Sequence, residues 1–203
     1  MYTALSATTK TLQMYLEETF KADPFLGGLG FFGGGGSMVV SPHTPQEMID
    51  KNIQGLSVWL YRVVRDPERL NDPSERIAWD QLKAPPLPLR LHFLMTPIAD
   101  DQANVSPETE QKILGKVLQT FHSHPQFRGA HLKGDFEGTQ TELRVRLEPM
   151  SLEEISRVWE ALKGSYQLSV SYEVTLVNVD SANEPEKVRP VAVALPEYGL
   201  IVS

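Results

Sequence analysis

Gly28, Gly30 and Gly33 spell G-x-G-x-x-G, the spacing with which a glycine-rich turn brings backbone amides against a pyrophosphate. That chemistry needs a strand before the turn and a helix opening at the third glycine, so that the helix amides and dipole meet the anion. Here a helical pattern precedes the motif, more glycines follow it, and no Gly-Lys-Ser/Thr completes a P-loop. The run is therefore read as a flexible loop, with a small-molecule or nucleotide-binding module as the alternative. His122, His124 and His131, with His92 upstream, are the imidazoles that could hold zinc for a hydrolase. His122 and His124 lie two apart near a helix end, so they leave in different directions, and no H-E-x-x-H is present. They are read as exposed or capping histidines near a helix C-terminus. No G-x-S-x-G elbow offers a serine nucleophile. Glu153-Glu154 suits the first turn of a helix, and Asp100-Asp101 sits in a turn-like stretch. Arg144 and Arg146 have Glu142, Glu148 and Glu173 as natural cross-strand partners. The chain contains no cysteine, which removes thiolate nucleophiles, thiolate metal sites and disulfides. No enzyme, metal or cofactor is expected.

The elements around these residues follow from periodicity. Leu12, Tyr15, Leu16, Thr19 and Phe20 recur at helical spacing over Leu5 to Lys21, and Asp23-Pro24 ends that helix. From Gly27 to Gly36, seven of ten residues are glycine, which predicts a mobile loop over 27–37. A short strand is expected at Met38 to Val40. Gly55 to Asp66 alternates, with Leu56, Val58, Leu60 and Val64 on one face, interrupted by Arg62, and Trp59, Tyr61 and Val63 on the other. Both faces are apolar, so this strand is expected to be covered on both sides. Asp66 to Pro88 reads as a long surface loop. Leu89 to Met95 is a second strand bounded by Pro88 and Pro97. Ser106-Pro107 opens a helix with the stripe Ile113, Leu114, Val117, Leu118 and Phe121, closed by Pro125. Leu143, Val145 and Leu147 mark a strand with one wet face. Ser151 and Glu154 form a capping box, with Met150 and Ile155 placed as a staple. That helix buries Ile155, Val158, Trp159 and Leu162 and ends at Gly164. The longest strand is expected over Gln167 to Asp180, with Leu168, Val170, Tyr172, Val174 and Leu176 on one face. Val191, Val193 and Leu195 read as a last strand-like piece.

The sum is an α+β single domain, a mixed or antiparallel sheet flanked by helices, over 1–180, with a short C-terminal tail over 181–203. The length of 203 residues suits one domain. At 41% hydrophobic and 22% charged, the chain has an ordinary globular composition. A net charge of −7 repels phosphate backbones, so nucleic acid is not expected as a partner. No signal peptide and no stretch long enough to span a bilayer is read, so membrane insertion is not expected.

Some apolar side chains fall outside obvious core positions: Trp59 and Tyr61, the loop residues Phe25, Phe31 and Phe32, and the tail residues Tyr198, Leu200, Ile201 and Val202. They serve either a two-sided core or a protein–protein interface. Phe25, Phe31, Phe32, Tyr198, Leu200 and Ile201 are the candidate contacts, and truncating Phe31 and Phe32 together is expected to weaken docking without harming the fold.

Four segments carry a family resemblance: LSVWLYRVVRDPERLND (Leu56 to Asp72), PPLPLRLHFLMTPIADD (Pro85 to Asp101), ETEQKILGKVLQTFHSHP (Glu108 to Pro125) and the strand, capped helix and strand from Glu142 to Asp180. The chain resembles the tail-terminator, or cap, proteins of extracellular contractile injection systems, the phage-tail-like particles of the antifeeding-prophage and Photorhabdus-virulence-cassette type. The glycine run and the short stretch after Asp180 depart from that pattern. The resemblance implies a structural cap with a phage tail-terminator-like fold. It implies a homohexameric ring stacked on the last rings of sheath and inner tube, assembled in the bacterial cytoplasm as part of the particle, and no catalysis.

Overall fold

A computed structural model describes residues 1–28, 31–99 and 107–189. The chain opens with helix α1 (Ala4–Ala22), followed by strand β1 (Val39–Ser41), helix α2 (Pro45–Asp50) and strand β2 (Gly55–Arg65). Strands β3 (Glu75–Ala78), β4 (Gln81–Lys83) and β5 (Leu87–Ile98) come next, then helix α3 (Pro107–Ser123). Strands β6 (Gln126–Arg128) and β7 (Glu142–Glu148), helix α4 (Leu152–Leu162), and strands β8 (Val170–Val179) and β9 (Glu186–Lys187) complete the order. The main sheet runs β1-β2-β5-β8-β7-β6; a smaller one runs β3-β4-β9. In the main sheet β1 pairs parallel with β2, and the other neighbours are antiparallel.

Each helix is placed by its apolar stripe. Leu12, Leu16 and Phe20 of α1 and Ile113, Val117 and Phe121 of α3 lie in one core with Leu56, Val58, Leu91, Phe93, Val145 and Val174 of the sheet. A second, smaller core forms on the opposite face, where Ile155 and Trp159 of α4 meet Leu94, flanked by Trp59, Tyr61, Met150, Val158 and Leu162. β2 is thus covered on both sides over its first half, as its apolar faces predicted. The Ser151–Glu154 capping box forms in both directions, and Met150 joins Ile155 in the second core.

Several expectations need correction. The register of β2 against β5 shifts between Leu60 and Arg62, so the extra residue, Tyr61, reverses the alternation. Val63 then pairs with Leu91 and Val64 with Arg90, opposite to the faces that strict period-two reading assigned. The same happens in β8: Val174 pairs with Leu91 but Val177 with Leu89. Val177, not Leu176, takes the core position, and Leu176 sits at φ 67°. Pro88 and Pro97 lie inside β5 rather than bounding it, and at twelve residues β5, not β8, is the longest strand described.

The stretch from Asp66 to Pro88 is not a plain loop. It holds a 3₁₀ turn at Pro67–Arg69 and the β3–β4 hairpin. Helix α2 was missed. Thr44 and Glu47 make a capping box with Pro45 in the first turn. α4 ends with Lys163 in the left-handed conformation, φ 55°, one residue before the expected Gly164. Ser106, Asp100-Asp101 and the strand expected at Val191, Val193 and Leu195 lie outside the described residues.

Candidate functional site

The glycine-rich segment is tied at several points where it is described. Asp23 anchors it: its Oδ1 accepts from the amides of Phe25 and Leu26 at 2.9 and 3.0 Å, and its carbonyl from Gly27 at 2.8 Å. Farther along, the Phe32 amide donates to the Leu26 carbonyl and the Met38 amide to the Phe31 carbonyl. Gly27 is required by closeness, since a Cβ there would stand 2.1 Å from the Lys21 carbonyl oxygen. Burial alone would raise the Asp23 carboxyl pKa. The Leu26 and Phe25 amides and the Lys116 ammonium, 2.9 Å away, outweigh it and hold the pKa below the usual range. The Phe25, Leu26 and Gly27 amides that lead into the motif are therefore spent on an internal carboxylate and carbonyl, and that carboxylate repels an anion. Gly30 of the apparent fingerprint lies outside the described residues.

The loop phenylalanines divide. Phe32 is 3% exposed and stacks on Phe20 with ring centroids 4.7 Å apart. Its ring is part of the core, so the double truncation is expected to cost stability as well as docking. Phe31 and Phe25 pack on that core while half-buried, 5.8 Å from each other, and the Lys112 ammonium lies 4.1 Å above the Phe25 ring. Tyr198, Leu200 and Ile201 lie outside the described residues.

His124 and His131 flank the Tyr15 ring at 5.9 and 5.5 Å, with Phe127 at 4.8 Å. His122 stands apart, beside a groove between α3 and β7. Among the described residues no three metal-ligating side chains gather. Arg144 bonds Glu142 at 3.0 Å and Arg146 bonds Glu173 at 2.7 Å, ordinary sheet-surface pairs. Arg90 ties the same face to the Asp66 turn, 2.8 Å from Asp66 and 3.1 Å from Glu68.

A polar cluster lies under α4. Glu148 accepts from Ser171 Oγ at 2.6 Å and Tyr61 Oη at 3.2 Å, and lies 3.0 Å from His92 Nδ1. Burial pushes its pKa up, but the bonds from Ser171, His92 and Tyr61 pull it below the usual range. The carboxylate is thus ionised and the histidine Nδ1 is its donor. His92 is 4% exposed. Ser171 and His92 both address the glutamate rather than each other, so the cluster lacks the serine-to-histidine contact of a nucleophilic triad. It is the polar seam of the second core, and Trp59 and Tyr61 belong to that core.

Among the exposed apolar surfaces of the described residues are two that sequence reading did not single out. The β3–β4 hairpin exposes Ile77 and, at its turn, Trp79. Between the end of α3 and β7 runs a groove of about 810 Å³ lined by Leu118, Phe121, Pro125, Val145, Leu147 and Tyr172. The lone tryptophan in a polar, proline-rich stretch was the available signal for the first. The second had none, because every lining residue also fits a core stripe.

Comparison with known proteins places this arrangement. The Pvc16 N-terminal domain family matches residues 7–192. A chain of the cryo-EM structure of an extracellular contractile injection system, the PVC sheath/tube terminator in the extended state, superposes with a TM-score of 0.63 at 17% identity, covering 97% of this chain and 64% of that one. The anti-feeding prophage cap (AFP tube terminating cap) superposes at 0.62 and 17% identity, covering 98% and 61%. This chain thus spans less than two thirds of either matched chain, and at such identity the likeness is one of fold. No curated protein sequence matches.

Proposed function

The chain belongs to the Pvc16 N-terminal domain family, and from that premise we propose that it is a structural cap that ends the inner tube and sheath of a contractile injection particle. The observation that carries the reading is likeness in fold, over nearly the whole chain, to proteins described as the terminator and the cap of such particles. The chain acts as a homohexameric ring stacked on the last rings of tube and sheath, without catalysis. It assembles in the bacterial cytoplasm and stays with the particle. Among the described residues no helix is long and apolar enough to cross a membrane.

The physics of the role is coherent with the molecule. A filament grows because its head-to-tail contacts do not close, so its end presents unmatched surface and open strand edges. A terminator must match that end on one side and offer no copy of it on the other. The half-buried rings of Phe25 and Phe31, packed on the core to which Phe32 belongs, and the tail residues Tyr198, Leu200 and Ile201 are the contacts assigned to tube and sheath. The net charge of −7 keeps the free subunit soluble.

Deleting the chain in its host and imaging particles by negative-stain electron microscopy tests this. Missing, unstable or length-scattered particles, restored by adding the chain back, are expected. Normally ended particles overturn the reading.

A further inference from the structure

On the β3–β4 hairpin, Trp79 is 71% and Ile77 47% exposed. The turn is preset, because Arg76 Nη1 donates to the Trp79 carbonyl at 2.6 Å. The hairpin stands at one end of the main sheet, where Lys83 of β4 bonds Asp180, the residue after β8, at 3.3 Å. An indole leaves a large apolar area in water, and one presented on a fixed turn has the character of an anchor.

The chain itself returns to this place. β9 pairs antiparallel with β4, with Glu186 opposite Leu82 and Lys187 opposite Gln81. It therefore runs toward the hairpin turn, and the Val188 amide donates to the carbonyl of Asp80, the neighbour of Trp79, at 2.8 Å. The described chain ends one residue later, at Arg189. The sequence continues PVAVALP over 190–196, an apolar run of alternating large and small residues between two prolines. Glu197 is the single charged side chain from 190 to 203, so no cation of that segment meets Arg76 at the turn. From Val188 to Val191 is three residues, about 10 Å of extended chain at ~3.3 Å per residue, which brings the first valine within reach of the indole. The groove between α3 and β7 lies toward the opposite end of the sheet, beside Tyr172 and Leu147. Tyr172 and Asp180 are separated by about 25 Å of mostly extended chain at ~3.3 Å per residue. Trp79, and not the groove, is thus the apolar surface beside the root of the tail.

We infer that Trp79 and Ile77 form the docking surface for the chain's own segment 191–195, whose larger side chains, Val191, Val193 and Leu195, cover the indole in the free subunit. Apart, the two surfaces leave apolar area in water; together they remove it. The ordering cost is small, because β9 already fixes the start of the segment. On the capping reading above, this contact roots the arm that presents Tyr198, Leu200 and Ile201.

Two measurements on the free full-length chain test this, and both keep Trp79. Trp159 is buried and Trp59 half-buried, so iodide quenching of tryptophan emission reads mainly Trp79. In the parent chain Trp79 is expected to be shielded from iodide, and the variant Val191→Ser with Val193→Ser and Leu195→Ser is expected to lose that shielding while keeping its far-ultraviolet circular dichroism. Equal quenching of parent and variant, whether both are open or both shielded, overturns the contact. The second measurement decides even where the serine variant folds poorly. The chain has no native cysteine, so Ile77→Cys with Val193→Cys can be bridged by a short bis-maleimide. A bridge within one chain, formed equally at low and high protein concentration, is expected. Bridged dimers, or two separately capped thiols, overturn the contact. Either failure leaves the capping role standing, since that role is tested by imaging particles after deletion of the whole chain.

Discussion

At the scale of single residues, the chemistry-bearing side chains of this protein stabilise its fold. Glu148 is the clearest case, since one carboxylate receives Ser171, His92 and Tyr61 beneath α4. Its folded pKa lies below the unfolded one, so between the two the unfolded chain binds more protons and stability rises with pH. The contribution is complete above about pH 5 and is lost as pH falls through the folded pKa. Glu148→Gln is expected to lower stability at pH 7 by about 1–3 kcal/mol, because it weakens buried charge-assisted bonds. It should also flatten the loss of stability below pH 5; urea titrations at pH 3 to 7 check both. An equal slope in variant and parent would show that other carboxylates carry the acid sensitivity. The Arg144–Glu142 and Arg146–Glu173 pairs were legible from sequence because they are local or lie on neighbouring strands. The Glu148 cluster was not: His92 and Tyr61 lie 56 and 87 positions away from it.

At the scale of elements, helices were read well where caps and stripes agree, as in α4, whose capping box formed as expected. The Thr44–Glu47 box of α2 carried the same signal and was passed over because the helix is only one and a half turns long. Strands were read well in place but not in phase. The bulge at Tyr61 and the left-handed Leu176 each add a residue, and after each the core face changes parity. Alternation cannot show a bulge, because one inserted residue looks like one polar interruption; Arg62 was that interruption. The glycine segment teaches the converse. Composition predicted a loop over 27–37, and within it Phe32 is buried, a packing role that composition does not show, while Asp23 fastens the residues leading into it. Phe32→Ala is expected to cost about 3–5 kcal/mol, the usual range for emptying a buried phenylalanine site, measured as a shift in the urea midpoint. A change below 1 kcal/mol would mean that the loop closes over the gap.

At the scale of the whole molecule, one sheet holds a core on each face, α1 and α3 on one and α4 on the other. Neither layer can leave without uncovering β2 and β5, so the two cores are expected to melt together. Trp59 and Trp159 belong to the smaller core and Trp79 is already exposed, so the change in tryptophan fluorescence on unfolding reports mainly that face, whereas far-ultraviolet circular dichroism reports the whole chain. Coincident urea transitions from both probes are the expected outcome. An earlier fluorescence transition would make α4 a separately opening layer. A rigid two-sided sheet suits a part that must hold unlike surfaces in fixed relation.

The amino-acid sequence by itself determined the α+β class, the helix stripes, the caps and the family, because these depend on residue types at short, regular spacing. The tertiary structure alone decided which face each strand turns inward after its bulge and that Phe32 belongs to the core. It also decided that Glu148, His92, Tyr61 and Ser171 meet, and that Trp79 and the Leu118–Tyr172 groove lie toward opposite ends of one sheet. Those facts come from the pairing of segments far apart in the chain, which local periodicity does not encode.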